Sequence, residues 1–426
     1  MGCAKNSVDS ERLIGLLEAA GHTIVDDAGE AQVGLINTCA FIQDAVKENV
    51  DAILDLELLK EQGKLDKIIV AGCIVNRYGA ELRREIPAVD LWVDAEEWDR
   101  VIDFLGGGGA AVNSHCFPRG ILPESRPWSR YLKVGEGCDT FCSYCTIPLI
   151  RGRLRSTPID ALVKEADRLC ASGAREICLV GQDLTVYGKD IYGTPMIGKL
   201  LQELVDALPD ETWIRLLYLH PDRITREFAD FLLGAEKILP YLDVPIQHID
   251  DAVLAAMNRT PASRHIRDIF RYVRERNPLF ALRTTIMTGF PGESEAQFAR
   301  VLEFLEEAEL DRVGAFMYSP EEGTKAALLP NQIPEEVKQQ RYDRLMALQA
   351  EISRERNALF VGKTLRVLIE EIDADDDFAW GRCYRDAPEV DGMVGVEGGG
   401  RLVPGSRIDV EIVDSAEHDL FGRIAL

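Results

Sequence analysis

Short apolar runs alternate with helix-spaced apolar positions along most of this chain, and near its end the helical spacing disappears. Residues 10–20 place apolar side chains at helical intervals, and residues 32–37 form a short apolar strand running into Thr38-Cys39. An amphipathic helix is predicted over 41–60, and a second apolar strand over 67–72 runs into Cys73. Helical patterns set between short apolar strands predict βαβ units and a parallel sheet. The run Gly106-Gly107-Gly108-Gly109 predicts a linker after them.

From about residue 127 to 330 the unit repeats. Strands are expected at 131–135, 176–180, 214–219, 242–246, 282–288 and 313–318, most of them followed by helical patterning. Six such units suit a partial parallel barrel, whose active site lies at the C-terminal ends of its strands. Residues with chemistry to offer fall just past those ends: Cys138, then Gln182 and Asp183, then His220, then Gln247 and His248, then Gly289. A single charged helix is expected over 334–360, and residues 363–426 have the β-stretches and glycine turns of a small β-barrel. The fold class is therefore α/β. It comprises an N-terminal open parallel-sheet domain (1–105), a central partial (βα)6 barrel (127–330), a connecting helix (331–362) and a small C-terminal β-barrel (363–426).

Length changes this picture little, since 426 residues fit two to four domains. No apolar run reaches the ~18 residues of a spanning helix, and the first residues lack the apolar core of a signal peptide. A cytoplasmic protein is expected, with no membrane partner. Charge narrows the partners: 72 Asp and Glu against 48 Lys and Arg give a net −24. Phosphate backbones seek basic surfaces, so nucleic acid is disfavoured and a basic protein suits the field better.

Ten cysteines in a reducing compartment read as ligands or buried thiols before disulfides. Three stand in Glu136-Gly137-Cys138-Asp139-Thr140-Phe141-Cys142-Ser143-Tyr144-Cys145, a C-x3-C-x2-C run. Three thiolates this close can hold three irons of a 4Fe-4S cube and leave the fourth iron open. Zinc prefers four ligands, commonly as two pairs, and no second pair follows at that spacing. Cys3, Cys39 and Cys73 close similar phrases, Gly2-Cys3, Asn37-Thr38-Cys39 and Gly72-Cys73. Parallel strands put their C-terminal ends along one edge, so these thiols either converge there or are separate core cysteines.

The C-x3-C-x2-C run, with Tyr144 before its last cysteine, resembles the radical S-adenosylmethionine (SAM) enzymes. Taken with the three N-terminal phrases and the C-terminal β-domain, the chain resembles the radical SAM methylthiotransferases over nearly its whole length. The resemblance implies two 4Fe-4S clusters, one on Cys138, Cys142 and Cys145 and one on Cys3, Cys39 and Cys73, with SAM as cosubstrate. It also implies a low-potential electron donor such as flavodoxin or ferredoxin. Expected SAM contacts are Tyr144, Gly181, Gln182, Asp183, Gln247, His248 and Gly289. Cys116, Cys170, Cys178 and Cys383 match no ligand position. In this family a strand normally precedes the first Gly-Cys, whereas here only Met1 precedes Gly2; loss of that strand would weaken the sheet and the geometry at Cys3.

Two branches share the architecture: one modifies an adenosine of transfer RNA, the other an aspartate of small-subunit ribosomal protein twelve. Leu217-Tyr218-Leu219-His220-Pro221, Val244-Pro245-Ile246-Gln247-His248 and Tyr318-Ser319-Pro320-Glu321-Glu322-Gly323-Thr324 resemble the second branch. Residues 363–426 hold seven basic and fifteen acidic side chains, a net −8, which suits a basic protein partner and disfavours RNA on this TRAM-like domain. The alternatives are the transfer RNA enzyme and a non-enzymatic iron–sulfur scaffold or electron carrier. Arg151, Arg153 and Arg155 form a basic stripe that binds a substrate carboxylate or, as local acids suggest, pairs within the protein.

Overall fold

A computed structural model describes residues 2–95, 97–106, 119–122 and 126–425. The linker glycines from 107 on, and Cys116, lie outside these.

Three parallel strands, β1 (Val33–Thr38), β2 (Lys67–Gly72) and β3 (Leu91–Val93), form the N-terminal sheet in that order. Successive residues of β2 point to opposite faces, as a strand requires. Ile68 and Val70 pack with Ile53 of helix α2 (Gln43–Glu61) and Ile74 of helix α3 (Cys73–Glu85). Ile69 and Ala71 pack with Leu13, Leu16 and Leu17 of helix α1 (Ala4–Ala19). Helix α1 begins six residues before the apolar pattern does. Its first turns bury polar side chains against the barrel: Arg12 pairs with Glu165 at 2.9 Å, Glu11 with Arg130 at 3.0 Å, and Asp9 with Lys133.

The described residues of the central unit form six parallel strands and one small ribbon. Strands β4 (Ser129–Lys133), β7 (Glu176–Val180) and β8 (Trp213–Leu216) form one sheet. Strands β9 (Tyr241–Asp243), β10 (Ala281–Thr288) and β11 (Arg312–Met317) form the next. The ribbon pairs β5 (Gly135–Glu136) with β6 (Arg155–Ser156). The seam between β8 and β9 is held by an Ile214–Ile238 bridge and by Leu219 N–H donating to the Asp243 carbonyl at 3.0 Å. Apolar faces of the outer helices Ile159–Ala171, Ile197–Ala207, Ser263–Arg276 and Glu295–Ala308 close one continuous core over these strands.

Strands β12 (Thr364–Asp373), β13 (Phe378–Arg382), β14 (Val394–Glu397), β15 (Arg407–Ser415) and β16 (Leu420–Ile424) form a closed barrel in the order β12-β13-β14-β16-β15. Val367, Ile369, Val396, Val410 and Ile412 fill it. The segment after β13 reaches the central barrel, where Tyr384 and Ala387 pack with Val180, Leu217, Tyr241 and Ala281. Buried ion pairs lock this contact: Arg382 to Glu176 at 2.7 Å, Arg312 to Asp386 at 2.9 Å and Arg385 to Asp311 at 3.1 Å. No helix of the described residues is long and apolar enough to cross a membrane.

Candidate functional site

The Cys138–Cys145 loop leaves β5 through Gly137, whose φ of +73° favours glycine. A Cβ there would come within 2.6 Å of the Arg153 carbonyl carbon. Backbone bonds fix the loop: Cys138 N–H donates to the Gly152 carbonyl at 3.1 Å and Ser143 N–H to that of Met257 at 2.9 Å. The Asn258 amide donates to the Phe141 carbonyl at 2.8 Å and so holds Phe141 at a φ of +51°. Two sulfurs accept backbone hydrogen bonds, Cys138 from Thr140 at 3.4 Å and Cys145 from Ile147 at 3.5 Å. Burial pushes the Cys145 thiol up to about 12, against the Ile147 N–H, and charge on Cys142 and Cys138 adds to the rise.

The N-terminal cysteines do converge. Cys3 caps α1, Cys39 follows β1 and Cys73 opens α3. Cys3 Sγ and Cys73 Sγ lie 3.7 and 4.0 Å from one atom, Asn6 Oδ1. Asn6 also donates to the Thr38 carbonyl at 2.8 Å, and Asn37 donates to the Asn6 carbonyl at 3.1 Å. These bonds tie the start of α1 to the end of β1. Gly72 turns β2 into α3 at a φ of +95°, where a Cβ would stand 2.8 Å from the Thr38 carbonyl oxygen. Burial pushes the Cys73 thiol up to about 11, opposed by Arg151 and reinforced by Cys39 and Cys3.

Both triads line one cavity of about 530 Å³ between the sheet domain and the C-terminal ends of the barrel strands. Among the described residues no three His, Cys, Asp or Glu groups converge on a single metal ion. In a 4Fe-4S cube each thiolate takes its own iron, so a triad needs no common focus. Reduced thiols, N–H donors aimed at sulfur and a dry wall fit 4Fe-4S clusters.

Arg151 joins the two halves. Its Nε donates to Cys73 Sγ at 3.2 Å, Nη2 to Asn6 Oδ1 at 2.7 Å, and Nη1 to Asp9 at 3.1 Å and Glu136 at 3.0 Å. Burial alone would raise the Glu136 carboxyl, but Lys133 and Arg151 outweigh it and hold it at about 2. Arg151 thus pairs within the protein, whereas Arg153 is exposed and 4.0 Å from Asp139, so the three arginines do not act as one stripe.

Of the expected SAM contacts, Tyr144, Gly181, Gln182, Asp183 and Gln247 line the cavity. The buried carbonyl oxygens of the Gln182 and Gln247 side chains have no partner among the described residues, as polar ligand contacts would require. Gln247 sits at a φ of +69°. Asp183 accepts from Arg223 at 2.6 Å and from Thr185 N–H at 2.9 Å. His220 also lines the cavity, with neither ring nitrogen hydrogen-bonded among the described residues. Burial, with Arg259 and Arg223 nearby, lowers it to about 2, so its imidazole is neutral.

His248 and Gly289 stand away from the cavity. His248 is fully buried 3.3 Å from Glu293, which also accepts from Gly289 N–H and pairs with Arg341 at 2.9 Å. These residues lock the strand-end loops to the helix Glu335–Ala358. Cys178 and Cys383 are buried in packing and Cys170 lies 3.8 Å from Thr212 Oγ1. Lys5, Asn6, Glu136 and Arg259 were missed by sequence reasoning. Asn6 alone left a signal, three residues after Cys3 and so on the same helical face.

Comparison with known proteins agrees with this layout. Residues 1–94 match the Uncharacterized protein family UPF0004, 132–305 the Radical SAM superfamily and 361–425 the TRAM domain. The ribosomal protein uS12 methylthiotransferase RimO of Syntrophus aciditrophicus is 43% identical over 100% of this chain and 97% of its own length. The protein of that name from Aquifex aeolicus is 42% identical over 99% of this chain and 95% of its own. Among solved structures, the radical S-adenosylmethionine methyltransferase TsrM of Kitasatospora setae covers 74% of this chain and 70% of its own, with a TM-score of 0.55. At 17% identity that likeness is one of fold.

Proposed function

The chain belongs to the ribosomal protein uS12 methylthiotransferase family, and from that premise we propose that it adds a methylthio group to the β-carbon of an aspartate of uS12. The observation that carries the reading is the single cavity lined by both cysteine triads. Hydrogen removal and sulfur delivery must reach one carbon, and a shared cavity allows that without moving the substrate.

Cys138, Cys142 and Cys145 would hold one 4Fe-4S cluster, the one that meets SAM, and Cys3, Cys39 and Cys73 would hold the second. Bound there, the clusters and SAM supply the one-electron chemistry that an unactivated C–H bond demands. The protein's own work is to bind, orient and keep dry. Tyr144, Gly181, Gln182, Asp183 and Gln247 face SAM, and Glu136 orients Gln182 by a 3.1 Å hydrogen bond. Phe41, Ile42, Ile147 and Ile150 give the cavity an apolar wall. Residues 1–105 form the second-cluster domain, 127–330 the radical SAM barrel, 331–362 the connecting helix and 363–426 the TRAM-like domain. A low-potential donor such as flavodoxin or ferredoxin supplies electrons, and the setting is the cytoplasm. The acidic balance favours a basic protein over nucleic acid as substrate.

The test is anaerobic turnover of reconstituted protein with SAM, reductant and a sulfur source, offered purified uS12 or bulk transfer RNA. Mass spectrometry should find the methylthio group on an aspartate of uS12. A methylthio-adenosine product in its place refutes the assignment.

A further inference from the structure

Lys5 is a cation with almost nothing to hold. It stands in the first turn of α1, two residues after Cys3, and lines the cavity. An ammonium carries three donors. Among the described residues the one hydrogen bond of Lys5 goes to the Gly181 carbonyl at 3.5 Å, a long contact, and the ring centroid of Tyr218 lies 4.4 Å away. None of their carboxylates comes within ion-pair distance of it. The placement also opposes the helix dipole, whose positive end is here, and no acid stands in that first turn. The charges of Cys3 and Glu136 favour its ammonium from farther off without pairing with it.

The other cations of the cavity are engaged. Arg151 serves Asp9, Glu136, Asn6 and Cys73. Arg259 donates to the Pro245 carbonyl at 2.9 Å and to the Tyr144 hydroxyl at 3.5 Å, on the side of the Cys138–Cys145 loop. Lys5 instead reaches from the N-terminal domain to Gly181 at the end of β7, in the cavity that both triads line.

The proposed reaction brings an anion to that place. The β-carbon of aspartate is bonded directly to its carboxylate carbon. That carbon cannot sit between the triads without carrying its carboxylate into the cavity. A carboxylate taken out of water is strongly unfavourable unless a cation or several donors meet it. We propose that Lys5 binds the carboxylate of the substrate aspartate and thereby sets a preference for aspartate over its amide. This inference rests on the uS12 reading above.

The test uses reconstituted holoenzyme and two forms of uS12, one with the target aspartate and one with asparagine there. Wild type should bind the aspartate form roughly ten-fold more tightly, as a charge-assisted hydrogen bond gives. In Lys5→Gln that ratio should fall to near one, with iron content unchanged, and in Lys5→Arg it should largely persist. A Lys5→Gln protein that keeps the wild-type ratio overturns the proposal. So does one that keeps the ratio and loses affinity for SAM, because the carboxylate at Lys5 is then that of SAM. Wild type that binds both forms of uS12 equally also overturns it while leaving the function intact. Wild type that neither binds nor modifies uS12 overturns the functional reading itself.

Discussion

At the scale of single residues, the second triad depends on one glycine as much as on its thiols. Gly72 carries Cys73 to the cavity through a φ of +95° and a ψ of −153°, a region essentially reserved for glycine that costs other residues about 1–3 kcal/mol. A Cβ there would also meet the Thr38 carbonyl oxygen at 2.8 Å. Gly72→Ala should therefore displace Cys73 while leaving the Cys138–Cys145 loop alone. Reconstituted iron should fall from about eight to about four per chain, the loss of one of two 4Fe-4S clusters. SAM cleavage under reducing conditions should continue while methylthio product disappears. Iron assay and product analysis on the same sample check both, and an unchanged iron content would exclude this role for Gly72.

At the scale of elements, α1 is the piece that makes one site out of two domains. Leu13, Leu16 and Leu17 bind it to its own sheet, while Asp9, Glu11 and Arg12 bind it to the barrel. Asp9 meets both Lys133 and Arg151, all three buried. Removing one partner of a buried pair leaves uncompensated charge and costs about 3–5 kcal/mol. Asp9→Ala should lower the thermal midpoint and raise hydrogen exchange along residues 4–19. By contrast, Lys164 and Asp160 are exposed and 3.7 Å apart. Lys164→Ala should change stability by less than about 0.5 kcal/mol. Equal effects of the two substitutions would show that the buried pairs do not hold α1 to the barrel.

At the scale of the whole molecule, charge acts in two ways. Inside, Glu176 on β7 binds Arg215 of the barrel and Arg382 of the C-terminal domain, each at 2.7 Å. Burial opposes its ionisation, but the two arginines prevail and bring its carboxyl from an ordinary 4.5 down to about 2. A carboxyl lowered on folding contributes stability that is complete above pH about 4.5 and lost as pH falls toward about 2. Acid unfolding should therefore begin below pH about 4.5, and Glu176→Gln should be less stable at neutral pH and less sensitive to acid. Chemical denaturation at a series of pH values checks this, and a Gln variant with the wild-type pH profile would contradict it. Outside, the net −24 and the exposed turn bearing Asp375 and Asp376 should speed capture of a basic protein. Association with uS12 should slow as salt rises, since charges beyond about 8 Å are screened at physiological ionic strength. Asp375→Asn with Asp376→Asn should slow it further at low salt only, as stopped-flow measurements would show.

Local spacing alone determined much of this protein. The Cys138–Cys145 run, the βαβ periodicity, the six barrel strands and the closing β-domain are written in neighbouring residues, whose spacing and period survive any tertiary arrangement. By spacing the N-terminal triad was legible only as three similar phrases, and as a site only through the family resemblance, because its members lie more than thirty residues apart and only the parallel sheet brings their ends together. Tertiary structure alone decided that both triads face one cavity and that α1 buries a polar face. It also turned His248 and Gly289 away from the cavity toward Glu293 and left Lys5 without an ion pair among the described residues. Those outcomes depend on which charges two separate domains bring against each other, and no periodicity within one segment encodes that.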